Sequence, residues 1–262
     1  MTHRMDKQEF SQEPIPLPPA ELLSGVGSDA GNFAIIGAEF LRHFIEKCGL
    51  CPGERVLDVG CGVGRMAIPV VRHLGPAGSY DGFDVSKAAI DWCNCNLAPR
   101  FNNSRFHFID LQNNFYNPFG QDPAARFRFP FKDATFDFIF ATSVFTHLLP
   151  DASKNYLREI YRVLKPGGRC LATYFLVNDG SRSSMSRGAS SISFAAASKV
   201  HYVTNPKVPE IAVAYEEPFI DDLYQRIPFG EREKFYGSWS GCPGELTYQD
   251  TIIAWKPEVS LT

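Results

Sequence analysis

Between Arg55 and Ile68 the chain reads RVLDVGCGVGRMAI, and this stretch limits the possible folds more than any other. A short apolar strand (Val56, Leu57, Val59) runs into glycines at alternate positions, Gly60, Gly62 and Gly64, and a helix follows. Asp58 stands on the strand just before them. Glycine lacks Cβ, so such a turn takes positive φ and lets a ligand lie on bare peptide. The spacing also separates cofactor classes. A dinucleotide site takes G-x-G-x-x-G. Here Arg65 occupies the position of that third glycine, and the glycine comes one residue early. The plain alternative is a glycine-rich strand–helix turn with no ligand.

The rest of the chain alternates in the same sense. Phe33–Cys48 carries apolar residues at helical spacing and stops at Gly49. Strands are expected at Val56–Val59, Ser79–Phe83, Arg105–Ile109, Phe136–Ala141 and Arg169–Leu176. Helices are expected at Arg65–Leu74, from Ser86 to about Leu97, and at Ala152–Leu164. Glu216–Arg226 reads as a further helix, with closing strands at Lys234–Trp239 and Thr247–Lys256. Alternation of this kind implies an α/β fold with a parallel sheet and helices on both faces. Two segments break it: the aromatic stretch Leu111–Lys132 and the Ser/Gly/Ala-rich stretch Val177–Ser198. Both follow strand ends, where open α/β sheets bind ligands, and long loops are functional or disordered.

With 44% hydrophobic residues the 262-residue chain can bury a full core, and its net charge of −3 gives no basic field for nucleic acid or an anionic membrane. No apolar run approaches the ~20 residues that span a bilayer. The polar, proline-rich N-terminus lacks the apolar core of a signal peptide, so a cytoplasmic location is expected. Seven scattered cysteines, Cys48 and Cys51 among them as C-x-x-C, read better as reduced thiols at a helix end than as a metal or redox site. The division expected is a leader and cap helix over 1–50 and a catalytic domain over 51–262, with 177–215 as a lid insertion.

Several landmarks stand in one order: Asp58-Val-Gly-Cys-Gly-Val-Gly64, Gly82-Phe-Asp84-Val-Ser86, Phe108-Ile-Asp110-Leu111, Phe129-Pro-Phe-Lys-Asp-Ala-Thr-Phe-Asp137 and Leu164-Lys-Pro-Gly-Gly168. Together they resemble the class I S-adenosylmethionine (SAM) methyltransferases that act on small molecules. The resemblance covers about half the chain. It implies a doubly wound, Rossmann-like sheet of seven strands, mostly parallel with an antiparallel last strand. It implies SAM as cofactor, S-adenosylhomocysteine as product, and no metal. Asp58 would offset positive charge near the amino-acid end, and Gly60, Cys61, Gly62 and Gly64 would cradle the polar groups. Asp84, with Val85 beside it, would hold the ribose, and Asp110 and the amide of Leu111 the adenine. Ala141 would lie beside the cofactor at the end of the fourth strand. Asp84 and Asp110 also suit helix capping, and the two roles can coexist.

The same resemblance gives a small-molecule acceptor, methylated on oxygen, as the reading, with a polar metabolite or saccharide as its class. A hydroxyl acceptor profits from a base. His147, just past the fourth strand, is the first candidate, and its other reading is a helix-start histidine bonded to backbone. Tyr116, Tyr174 and His201 are weaker candidates. Arg182 and Arg187 would clamp an anionic acceptor or be solvated loop charges. Ala141-Thr-Ser-Val-Phe145 departs from the [ND]-P-P-[YF] of base-methylating enzymes, which argues against nucleic acid. Two rival functions are a SAM-binding scaffold or sensor without turnover, and a nicotinamide-dependent oxidoreductase.

Overall fold

The computed structural model describes residues 15–258. A short helix α1 (Ala20–Gly25) and a longer α2 (Phe33–Glu46) precede β1 (Arg55–Val59), α3 (Ala67–Leu74), β2 (Ser79–Asp84), α4 (Lys87–Asn96) and β3 (Ser104–Phe108). The aromatic stretch holds only two-residue strands, β4 (Leu111–Gln112) and β5 (Asp122–Pro123), and one 3-10 turn. Then come β6 (Phe136–Ala141), α5 (Pro150–Val163), β7 (Leu164–Tyr174), β8 (Leu176–Val177), α6 (Asp179–Ser186), β9 (Ala195–Ala196), β10 (His201–Val203) and β11 (Val213–Glu216). The chain closes with α7 (Glu217–Arg226), β12 (Arg232–Phe235) and β13 (Asp250–Trp255).

Seven strands form the main sheet in the order β12-β13-β7-β6-β1-β2-β3. All pairs from β3 to β7 are parallel, and β13 runs antiparallel to both of its neighbours. The seven-stranded fold with an antiparallel last strand is therefore present. β1 is buried on both faces because successive side chains alternate. Val56 packs with Tyr80, Phe138 and Phe140 under α2, α3 and α4. Leu57 and Val59 pack with Phe83 and Ile139 under α5 and α7. Phe44 of α2 lies across Phe138 and Phe140, with ring centroids 5.1 and 4.5 Å away. From β1 the sheet grows outward in both directions, to β2 and to β6. That reversal opens a crevice at the carboxyl end of β1.

The two irregular segments acquire distinct jobs. Phe127 and Phe129 belong to the core, with Phe129 edge-on to Phe83 at 4.9 Å, whereas Phe115 and Tyr116 stay near the crevice. In the serine-rich stretch a helix replaces the expected loop. Asn178 Oδ1 accepts from Ser181 N–H, and Ser181 Oγ from Asn178 N–H, a reciprocal cap that starts α6. Residues 176–216 otherwise supply a second sheet, β8-β11-β10-β9. Asp250 ties it to the body. Its carboxylate accepts from Leu176 N–H, Gly237 N–H and Trp239 Nε1–H, each at 2.7 Å. The sequence Gly237–Gly244 thus builds a buried tryptophan anchor.

One buried cation ties together the amino-end side of the sheet. Arg169 donates to the carbonyls of Cys48, Gly49 and Asp137 and forms a fork with both oxygens of Glu54, at 2.8 and 2.6 Å. It joins the end of α2 to β1, β6 and β7. Arg169→Ala leaves these acceptors unpaired and is expected to lower unfolding free energy by about 3–5 kcal/mol. Urea unfolding followed by circular dichroism measures it, and a loss under 1 kcal/mol contradicts this role.

Candidate active site

The glycine loop is fastened to the end of β2. Gly60 N–H and Cys61 N–H both donate to Phe83 O, at 2.9 and 3.0 Å, and Gly62 N–H donates to Asp84 Oδ2 at 2.8 Å. Gly64 N–H turns back to Cys61 O. These four amides are satisfied by the protein, so the expectation that they meet a ligand's polar groups is corrected. What the loop offers is a bare peptide surface. The third glycine serves packing. At φ +75° a Cβ on Gly64 would strike Leu97 Cδ1, and Gly64 does not line the cavity. At Gly62, φ is +51° and a Cβ would come within 2.6 Å of Val26 Cγ1.

Above this loop lies a cavity of about 480 Å³, within the range of small-molecule sites. Asp58, Gly60, Cys61, Gly62, Asp84, Val85, Leu111, Tyr116 and His147 all line it, so the fold gathers most of the residues singled out from the sequence. Asp58 is 2% exposed; Oδ2 accepts from Tyr80 Oη at 2.6 Å, and Oδ1 has no partner. Burial pushes its pKa up to about 8, although the Tyr80 hydrogen bond opposes the shift. Asp84 is also raised by burial, against hydrogen bonds from Ser86 and Gly62. Each of its oxygens takes one backbone N–H, from Gly62 and from Ser86. A carboxylate has about four acceptor positions, so two remain for a vicinal diol.

His147 ends a 3-10 turn (Phe145–His147) just beyond β6. Its Nδ1 lies 2.8 Å from Glu210 O. A carbonyl only accepts, so Nδ1 carries the proton and Nε2 the lone pair. Tyr116 Oη stands 3.4 Å from Nε2, and Phe115 lies parallel to the imidazole at 6.3 Å. Burial lowers the His147 pKa, so the ring is neutral at pH 7.

Other expected residues lie elsewhere. Asp110 is exposed, bonded to Asn117 Nδ2 at 3.0 Å, and does not line the cavity; its neighbours Leu111 and Gln112 do. Ala141 is buried in β6, and the lining from that strand end is Thr142, Ser143 and Val144. Tyr174 is buried against Tyr224, their hydroxyls 3.0 Å apart. Arg182 pairs with Glu216 and Tyr202, and Arg187 reaches only Ser183 and Ser184. His201 bonds Ser198. None of these four lines the cavity. No lining residue comes from 177–215, although that segment supplies the carbonyl that holds His147.

The sequence reading missed three contributors. Residues 1–50 were expected to be a leader and a cap helix. Residues 1–14 lie outside the described residues, but α1 and the turn after it wall the cavity through Glu21, Leu22, Ser24, Gly25, Val26 and Gly27. α2 instead covers the sheet. Ser143 lines the cavity at φ 60°, a conformation that is strained without glycine. Its N–H donates to Thr173 Oγ1 and its Oγ accepts from Gln249 Nε2. Arg65 also lines the wall. Among the described residues no group of three or more His, Cys, Asp or Glu is placed to hold a metal. No described helix is long and apolar enough to cross a membrane.

A parallel sheet with a glycine crevice at its reversal point, flanked by two acids on consecutive strands, defines a nucleoside-binding α/β domain. Residues 56–168 match the methyltransferase domain family. Over 134 residues, 48% of this chain, the sequence is 34% identical to a sterol 24-C-methyltransferase of Schizosaccharomyces pombe. Over 123 residues, 46% of this chain, it is 35% identical to a phthiotriol/phenolphthiotriol dimycocerosates methyltransferase of Mycobacterium ulcerans. The alignments span only 29% and 37% of those relatives' own lengths. The fold is shared with a SAM-dependent methyltransferase from Aquifex aeolicus, at TM-score 0.53 and 16% identity, covering 91% of this chain and 99% of that one. Residues 56–168 are thus a methyltransferase domain of the class I SAM-dependent kind, for which SAM is the cofactor.

The site has donors and acceptors to suit that cofactor. Asp58 Oδ1, buried and unpartnered, fits a cation, and the two free positions on Asp84 fit ribose hydroxyls. Gly62→Val is expected to abolish S-adenosylhomocysteine binding by driving Val26, and α1 with it, off the loop. Calorimetry on the folded variant measures this; unchanged affinity would detach the glycine loop from the site.

Proposed function

We propose that this protein transfers a methyl group to the hydroxyl of a small, uncharged acceptor, with His147 as general base. The observation that carries the reading is the fixed tautomer of His147: a neutral imidazole whose Nε2 lone pair meets only the long 3.4 Å contact from Tyr116 Oη, which an acceptor hydroxyl would replace, in a cavity also walled by Asp58 and Asp84. In this reading Asp84 holds the ribose, Asp58 faces the amino group, and Val85 and Leu111 flank the adenine. When bound, SAM supplies an electrophilic methyl on a sulfonium. His147 Nε2 receives the acceptor's hydroxyl proton, and the Glu210 carbonyl, hydrogen-bonded at Nδ1, steadies the imidazolium. Phe115, Tyr116 and α1 keep water out and hold the acceptor in line, the main need of so reactive a donor.

The lining also bears on the acceptor's charge. Its formally charged residues are Glu21, Asp58, Arg65 and Asp84. With Arg182 and Arg187 tied up elsewhere, Arg65 is the one lysine or arginine on the lining among the described residues, so no pair of cations there awaits a phosphate. An uncharged metabolite or saccharide hydroxyl suits this wall. The apolar residues Leu22, Val26, Met66, Val144 and Leu148 favour a second reading, methylation of an apolar acceptor. The name of the sterol relative, a carbon methyltransferase, points the same way. Isotope-labelled SAM with metabolite extracts, followed by mass spectrometry of the labelled product, separates oxygen from carbon.

Three results test the main reading. S-adenosylhomocysteine should raise the melting temperature and NAD should not, since a ligand of the native state stabilises it by mass action. The opposite pattern sinks the cofactor assignment. His147→Ala should cut kcat about 10²–10⁴-fold while leaving the nucleoside Kd within about twofold. A protonated imidazole cannot accept, so kcat/KM should fall with decreasing pH, with a midpoint below 6.5, because burial lowers this pKa. An acid limb above that value, or a fully active variant, makes His147 structural.

A further inference from the structure

Two adjacent asparagines close a circuit around His147. Asn113 follows β4 on the cavity wall and is buried. Its Oδ1 accepts from Phe115 N–H at 3.1 Å and from Tyr116 N–H at 2.9 Å, and its Nδ2 donates to His147 O at 3.1 Å. One side chain thus shapes the loop that carries both aromatic rings and holds the main chain of the histidine. The next residue works from the other end. Asn114 Nδ2 donates to Glu210 Oε1 at 2.9 Å, and the carbonyl of Glu210 meets His147 Nδ1 at 2.8 Å. Glu210 is buried in the 3-10 turn Pro209–Ile211.

An asparagine at a turn commonly bonds backbone two or three residues on, and Asn113 Oδ1 does so. That local task explains neither Nδ2 contact. The turn is already closed by Asn113 and Asn117, whose backbone N–H and C=O groups exchange two hydrogen bonds, at 3.0 and 2.9 Å. Both Nδ2 groups instead cross to the histidine, one to its main chain and one to the residue that sets its tautomer. A carbonyl at Nδ1 fixes which nitrogen carries the proton. A base must also stand within hydrogen-bond reach of the proton it takes, so its supports have to be held as well. We propose that Asn113 and Asn114 are positioning residues for the His147 base, tying its main chain and its Glu210 brace to the loop of Phe115 and Tyr116. The inference rests on the base assignment above.

Nitrogen NMR of histidine-labelled protein reads the tautomer without an acceptor. Wild type should show the His147 proton on Nδ1. Asn113→Ser keeps a hydroxyl that accepts from loop amides but is too short to reach His147 O, and Asn114→Ala frees the Glu210 side chain. In each, His147 should lose its single tautomer. Transfer from isotope-labelled SAM to the metabolite extract should slow about 10- to 100-fold, with the S-adenosylhomocysteine Kd within about twofold. Asn114 is exposed, so its variant keeps the test open should Asn113→Ser fold poorly. An unchanged tautomer in either folded variant, or a changed one with an unchanged rate, overturns the proposal. Nucleoside affinity that falls in step with the rate would make the pair a brace for the whole cavity, and overturns it too. A wild-type proton on Nε2, or full activity of His147→Ala, would instead sink the base assignment and this proposal with it.

Discussion

The site depends on how the glycine loop is tied to the end of β2. Phe83 O takes two loop amides, and the carboxylate of the next residue, Asp84, takes a third. That same carboxylate holds Ser86 N–H and so fixes the entry to α4. One acid thereby sets the loop's height above the sheet, the start of a helix and the position left for a diol. In the proposed reading, capping and ribose binding share one carboxylate, which has room for both. The buried Asp58, one strand away, is set by the β1–β2 register opposite Gly82.

The parts legible in the sequence were those written in local chemistry. The apolar runs Val56–Val59 and Phe136–Ala141 gave strands to within a residue, and Ser86 is indeed the N-cap of its helix. The parallel, helix-covered sheet was legible because βα alternation leaves few alternatives, whereas the antiparallel last strand came from the family resemblance. Contributors that depend on tertiary contact were not legible. α1 is six residues with no capping side chain, and its place on the wall depends on Leu23 packing against Val63 and Ala89. Nothing in Ala141–Val144 signals a left-handed serine; Thr173 and Gln249, distant in sequence, hold it there.

Some errors came from reading residue type without competitors. Arg182 and Arg187 had two readings, anion clamp or solvated loop charge, and the first overlooked Glu216 and the nearby serines that occupy them away from the cavity. Asp110 matched its landmark, yet Asn117, seven residues on, captures its carboxylate. The α6 helix carried a usable signal, Asn178 followed three residues later by Ser181, which a serine-rich composition obscured.

The short α1 has a kinetic consequence. A six-residue helix has almost no stability of its own, so this wall stands only while Leu23 and Val26 stay seated on the body. If the cavity takes the nucleoside as proposed, its passage would be tied to the rate at which this small docked segment lets go. Turnover in such an enzyme would follow the breathing of its amino-terminal edge, with the residence time of the spent nucleoside set by an opening that its own contacts oppose.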